Sequence, residues 1–296
     1  MSNKETFSAD WLRQREPFDT VARDHAAERL RLSARLRAVR PDGGVPWRVI
    51  DLACGTGANL RWLAPRLVGE QEWLVVDHDA ALLQRWPERL ALDGDNANFH
   101  QPLAYSGTAF HARIVRQQTD LARQLHTLPW HAAHLVTASA LLDLVSLDWL
   151  QQMVGHAAAA RVALLFTLSV DGRHQWTPKD PQDATVARLF QAHQRRNKGF
   201  GPALGPEAIE ACRGVMLAAG YRVFSAASDW RLDGRAQPNA AALQCALADG
   251  MAAAASEQDP ASERSMTAWR DRRRANATAS SLRVGHVDVL ALPPTH

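Results

Sequence analysis

Asp51, Ala53, Gly55 and Gly57 stand at every second position of the run Arg-Val-Ile-Asp-Leu-Ala-Cys-Gly-Thr-Gly, residues 48 to 57. A carboxylate followed by small residues lets a backbone approach a ligand closely, and glycine permits φ > 0 where the chain must turn. Val49, Ile50 and Leu52 before the glycines are of strand type, and Leu60, Trp62, Leu63 and Leu67 after them recur at helical spacing. A strand, a glycine-rich turn and a helix start together form a nucleotide-sized site. Two rival readings of the glycines fail on composition. A dinucleotide fingerprint requires a third glycine where Leu60 stands, and a phosphate loop requires Gly-Lys-Ser/Thr.

Two more acids fall at strand ends. Trp73 to Asp77 reads as a buried strand that ends in a carboxylate twenty residues after Gly57, with room for one helix between. An acid there can accept hydrogen bonds from both ribose hydroxyls, as in other doubly wound nucleotide sites. Its competing role is to cap the helix that begins near Ala80, for which Asp79 is better placed. Arg113 to Gln118 is a third strand, closed by Thr119, Asp120 and Leu121. Asp120 too can cap the helical run that follows it.

The spacing Asp51-x-Ala53-x-Gly55-x-Gly57 resembles motif I of the class I S-adenosylmethionine-dependent methyltransferases, an acid followed by x-G/A-x-G-x-G. The resemblance implies S-adenosyl-L-methionine as cofactor. It assigns the glycine loop with Thr56 and Asn59 to the cofactor, Asp77 with His78 to the ribose, and Asp120 with Leu121 to the adenine. Ser139, at the end of a fourth strand from His134, lies beside the sulfonium in this reading. An N-terminal helix that covers the cofactor brings Arg15 to the methionine carboxylate. The bland alternative for Arg15 is a solvated ion pair on a helix surface.

These motifs need a doubly wound, Rossmann-like α/β fold. The resemblance implies a seven-stranded sheet whose last strand is antiparallel. The fifth strand spans 161 to 167, the sixth 221 to 225 and the seventh 282 to 292. Residues 1 to 40 read as an N-terminal helical cap, with Pro17 starting a second helix near Asp19. Residues 41 to 296 form the methyltransferase domain. Within it, 239 to 279 are a helical insertion before the last strand, where the family has a short loop. Ala240, Ala241, Leu243, Leu247 and Met251 give that insertion an apolar stripe. It is expected to pack on its own domain, and two further uses of the stripe are to close the acceptor pocket or to make a dimer. Asp93 to Asn98 is a turn cluster in a connection longer than the fold requires.

An acceptor site is expected beyond the ends of strands four and five. Ser139, Asp143, Asp171, Arg173 and His174 are placed there, with residues 169 to 178 read as a loop. His174 is the candidate general base, with an ordinary pKa near 6.5, and Asp143 is a second candidate. Arg173, Arg195, Arg196 and Lys198 are candidates for an anionic group, and Trp149, Trp176 and Phe200 for stacking on a planar ring. Gly199-Phe200-Gly201 is a candidate lid. The substrate residues proposed are Arg173, Trp176, Lys198 and Phe200.

The composition bounds the alternatives. Nucleic-acid binding and RNA methylation would want a coherent basic face, and the modest net charge of +3 on 296 residues weakens both. The fourth strand is not followed by the Asn/Asp-Pro-Pro-Tyr form of exocyclic base-amino methylases. Three widely spaced cysteines suggest a reducing compartment, and no metal-ligand spacing occurs. Neither a signal region nor a membrane-length apolar run appears, so a cytoplasmic location is expected. The expected function is methyl transfer to a small molecule, anionic or aromatic. The rivals are a non-catalytic regulatory protein that keeps the cofactor fold, and an RNA methyltransferase.

Overall fold

The computed structural model describes residues 8–92 and 101–294. The turn cluster expected at 93 to 98 lies outside them. Alternating apolar residues build the sheet. Its strands are β1 (Trp47–Leu52), β2 (Gly69–Asp77), β3 (Leu103–Gly107), β4 (Phe110–Gln118), β5 (Leu135–Ser139), β6 (Ala163–Thr177), β7 (Arg222–Ala227), β8 (Trp230–Asp233) and β9 (Ser281–Leu292). They lie in the order β3-β4-β2-β1-β5-β6-β9-β7, with β8 also paired to β9. Strands β4, β2, β1, β5 and β6 are mutually parallel, and β9 runs antiparallel between β6 and β7. The doubly wound sheet with an antiparallel last strand is therefore present. Among the described residues it has nine strands rather than seven. The additions are β3, a hairpin partner of β4, and β8, which follows β7 along the same edge of β9.

Period-two alternation splits the core into two layers. Val49, Ala163 and Leu165 face one side, with Leu60 and Leu63 of α3 (Ala58–Leu67) and Trp86, which opens α5 (Trp86–Arg89) after α4 (Ala80–Gln84). Ile50, Leu164 and Phe166 face the other, past α6 (Leu121–Gln124), against Leu150 and Met153 of α7 (Leu147–Ala159) and Met216 of α9 (Ala208–Ala218).

Helix α1 (Ala9–Arg29) crosses the carboxyl end of the sheet and is followed by α2 (Leu32–Arg37). No new helix starts at Pro17, because α1 runs through it. Arg15 and Asp19 pair across that turn at 2.9 Å, and the break comes instead at Arg31, which takes a left-handed φ of 47°. Glu16 fastens α1 to α3 and α5 by accepting from Arg61 at 2.6 Å and from Arg89.

Residues 169 to 177 are strand rather than loop. The twelve-residue β9 extends beyond the parallel strands and pairs His174 with Val284. Helix α8 (Asp183–Gln194) packs on the insertion, which is α10 (Pro238–Gln258) and α11 (Glu263–Ala275). Leu243, Met251 and Trp269 of the insertion close a third apolar cluster with Trp176 and Leu282 of the sheet. The stripe on α10 is thus buried against its own chain.

Candidate functional site

The strand-to-helix turn after β1 is held from beneath. Cys54 N–H donates to Val76 O at 3.0 Å, and Trp86 Nε1 donates to Gly55 O at 2.9 Å. Ala53 takes φ 51°, Gly55 51° and Gly57 85°. A Cβ on Gly57 would stand 2.9 Å from the Trp86 ring, so this glycine faces the buried tryptophan and does not line the cleft. A Cβ on Gly55 would meet only the Leu12 side chain at 3.2 Å, so Gly55 is where a ligand can come close to the backbone.

Asp77 fixes the loop to the end of β2. Its Oδ2 accepts from Gly55 N–H at 2.8 Å and its Oδ1 from Asp79 N–H at 2.9 Å, with His78 Nδ1 at 3.3 Å. Asp79, not Asp77, caps α4 by accepting from Ala81 N–H at 2.8 Å. A carboxylate has about four acceptor sites, so two loop amides leave capacity for hydroxyl donors. Asp120 does cap its helix, accepting from Ala122 N–H at 3.2 Å, while it also lines the cleft.

Asp51 is fully buried. Asn59 Nδ2 donates to its Oδ1 at 2.8 Å and lies 3.1 Å from Thr137 Oγ1, while Asp51 Oδ2 has no partner. Burial pushes the Asp51 carboxyl up to about 7. An orphaned buried acceptor beside an open glycine suits a cationic or hydrogen-bond-donating ligand.

These groups converge on one cleft, about 1250 Å³ to its solvent-open mouth. Ala53, Thr56, Asn59, His78 and Leu121 line it with Asp51, Asp77, Asp79, Asp120 and Gly55. Ser139, Lys198 and Phe200 close its far side. Phe200 stands edge-on to Trp149 at 5.4 Å, and Asn197 Oδ1 accepts from Gly199 N–H at 2.8 Å. Arg15 lines the cleft but is not solvated: it pairs with Asp19 and sits 4.9 Å over the Trp230 ring.

A second cavity, about 1700 Å³ to its mouth, adjoins the first. Arg15, Ala140, Leu144 and Lys198 line both. His174 and Asp143 line the second only. Burial lowers His174 to about 4, so the imidazole is neutral at pH 7 and a weak base. Arg173 and Trp176 line neither cavity. Alternation along β6 sends Arg173 to Asp171 and to Asp229 at 3.0 Å, and sends Trp176 into the core edge-on to Trp269. Arg195 is taken by Glu207 and Arg196 by Glu257.

Several cavity residues escaped the sequence reading. Trp11, Phe190, Trp230 and His286 line the second cavity, with Met251 of the expected stripe. The signal for His286 was present, because it and Asp288 are polar residues inside an otherwise apolar strand. Asp288 accepts from Leu168 N–H at 2.8 Å and from Ser228 Oγ at 2.5 Å. It thereby fixes the bulge where Leu168, at φ 55°, turns β6 towards the second cavity. Among the described residues no group of three or more histidines, cysteines or acids is placed to hold a metal ion, and no helix is long and apolar enough to cross a membrane.

No family model and no curated protein matches the chain. Solved structures do. The YcgJ protein from Bacillus subtilis is 11% identical over 90% of this chain and 100% of that one, with a TM-score of 0.47. A putative sarcosine dimethylglycine methyltransferase from Galdieria sulphuraria is 12% identical over 88% and 84%, with a TM-score of 0.41. A SAM-dependent methyltransferase from Geobacter sulfurreducens, in complex with S-adenosyl-L-homocysteine, is 16% identical over 90% and 91%, with a TM-score of 0.40. At such identities and such loose superposition, the fold rests on the strand order itself.

Proposed function

We propose that this protein transfers a methyl group from S-adenosyl-L-methionine to a small molecule. The observation that carries the reading is Asp77, a buried carboxylate at the end of β2 that accepts from the Gly55 amide and retains acceptor capacity in the cleft. Asp77 would hold the ribose hydroxyls, and Asp120 with Leu121 the adenine edge. Asp51, with its unpartnered oxygen, and Arg15 would face the methionine end. Bound S-adenosylmethionine would supply an activated methyl on its sulfonium.

The protein's part is positioning. Holding two reactants in line supplies much of the acceleration in such a reaction. Lys198 and Phe200, on the cleft wall nearest the second cavity, would separate cofactor from acceptor. Asp143, beside the shared Leu144, would stand with His174 and His286 as the polar groups that face the acceptor. The N-terminal residues 1 to 40 would serve as a cap over the cofactor, and 239 to 279 as a wall of the acceptor site. The test is to incubate the protein with methyl-labelled S-adenosylmethionine and cell extract, then search by mass spectrometry for a labelled metabolite. Label confined to RNA would favour the RNA reading. No labelled product, with cofactor binding intact, would favour the regulatory one.

A further inference from the structure

The second cavity has a polarity of its own. Its apolar walls come from four directions: Trp11 of α1, Phe190 of α8, Trp230 of β8, and Leu247 with Met251 of α10. At its rim Glu257, with a 66% exposed side chain, accepts from His193 at 2.8 Å and pairs with Arg196. At its floor stand two imidazoles on adjacent antiparallel strands, His174 on β6 and His286 on β9, with His286 2% exposed. His286 Nδ1 lies 3.2 Å from Val284 O. A carbonyl only accepts, so Nδ1 carries the proton and Nε2 carries the lone pair. The floor therefore presents a hydrogen-bond acceptor in a mostly apolar chamber.

The charged side chains that line the cavity are Arg15, Asp143, Lys198 and Glu257, and Lys198 is among the groups, after His193, that hold the Glu257 carboxyl below its ordinary range. Arg15 is neutralised by Asp19 at 2.9 Å, and Asp19 is further held by Trp230 Nε1 at 2.9 Å. Arg173, Arg195 and Arg196 are each held by carboxylates. An anion carried to the floor would lose its water and meet no cation released for it, a cost that unpaired buried charges do not recover.

We propose that this cavity takes an uncharged acceptor with a broad, planar apolar body, its one hydrogen-bonding group set against His174 and His286. The aromatic walls match the faces of a ring system, and a hydroxyl or neutral amine can donate to His286 Nε2. The word acceptor rests on the methyltransferase reading above, whereas the cavity's preference for neutral over charged ligands does not.

The experiment measures binding of four probes of one shape: 2-naphthol, naphthalene, 2-naphthoate and 2-naphthylmethylamine. Each is titrated into the full-length protein with and without S-adenosylhomocysteine, followed by protein tryptophan fluorescence. The expected result is that 2-naphthol binds roughly tenfold or more tighter than 2-naphthoate and the protonated amine, and more tightly than naphthalene. Gly250 of α10 lines the cavity, and a Cβ there meets nothing within 4 Å. Gly250→Trp should therefore fold and abolish 2-naphthol binding, and Gly250→Ala should melt no lower than the parent. Charged probes binding as tightly as 2-naphthol, no binding of 2-naphthol, or undiminished binding by Gly250→Trp would each overturn the proposal. Absent S-adenosylhomocysteine binding with the probe preference intact would instead count against the cofactor reading alone.

Discussion

Asp77→Asn is the sharpest perturbation of the cleft proposed for the cofactor. The carboxylate accepts from two opposed backbone amides, Gly55 N–H at Oδ2 and Asp79 N–H at Oδ1. An asparagine has one carbonyl oxygen and one NH2, so whichever way it is turned, an amide N–H faces a donor. It also removes the charge that favours ribose hydroxyl donors. Hydrogen bonds to charged groups contribute about 1.5–3 kcal/mol each, and one to two of them are lost on the ligand side. Affinity for S-adenosylhomocysteine should fall by roughly 2 kcal/mol or more, about 30-fold. The loop cost is separate: one amide loses its partner, which should lower folding stability by about 1–3 kcal/mol. Calorimetry gives the first quantity, and denaturant unfolding without ligand gives the second. A folded Asp77→Asn protein that binds S-adenosylhomocysteine as the parent does would refute the ribose assignment. Unchanged stability would refute the account of the loop.

Gly57→Ala should destabilise by about 1–3 kcal/mol, since it combines a left-handed φ of 85° with a Cβ 2.9 Å from Trp86; an unchanged unfolding midpoint would contradict the packing described. Burial lowers His286 to about 3, against about 6.5 in the unfolded chain. The unfolded chain then binds the extra proton below pH 6.5, so this group takes stability away as pH falls through that value. Asp51 and Asp288, both raised to about 7 by burial, act in the opposite sense, because the folded chain keeps their protons. The comparison must therefore be with His286→Gln, which should gain about 1–2 kcal/mol relative to the parent between pH 7 and pH 5. Parallel pH profiles would show that His286 protonates freely in the folded chain.

The first cleft was legible because it is local. Asp51, Gly55 and Asp77 are set by strand-turn-helix patterns within thirty residues of chain, and their acids stand where strands end. The same pattern misjudged Gly57, since whether a glycine opens to a ligand or makes room for Trp86 depends on a side chain 29 residues away. The second cavity is assembled from distant elements, α1, β6, α8, β8, α10 and β9, and no local period marks it. His174 looked like a loop residue because its partner strand is contributed more than a hundred residues later, by Val284. Arg173 and Trp176 looked available until strand alternation sent one to Asp229 and the other to Trp269. Pro17 looked like a helix start because proline favours that position. Tertiary anchoring by Glu16 and Asp19 overrode it.

The central claim is that the cleft formed by Asp51, Gly55 and Asp77 is built for S-adenosylmethionine. Titration calorimetry of the full-length protein with S-adenosylhomocysteine, and in parallel with NAD, tests it most directly. The account predicts saturable binding of S-adenosylhomocysteine and none of NAD. NAD binding with no heat from S-adenosylhomocysteine would contradict it.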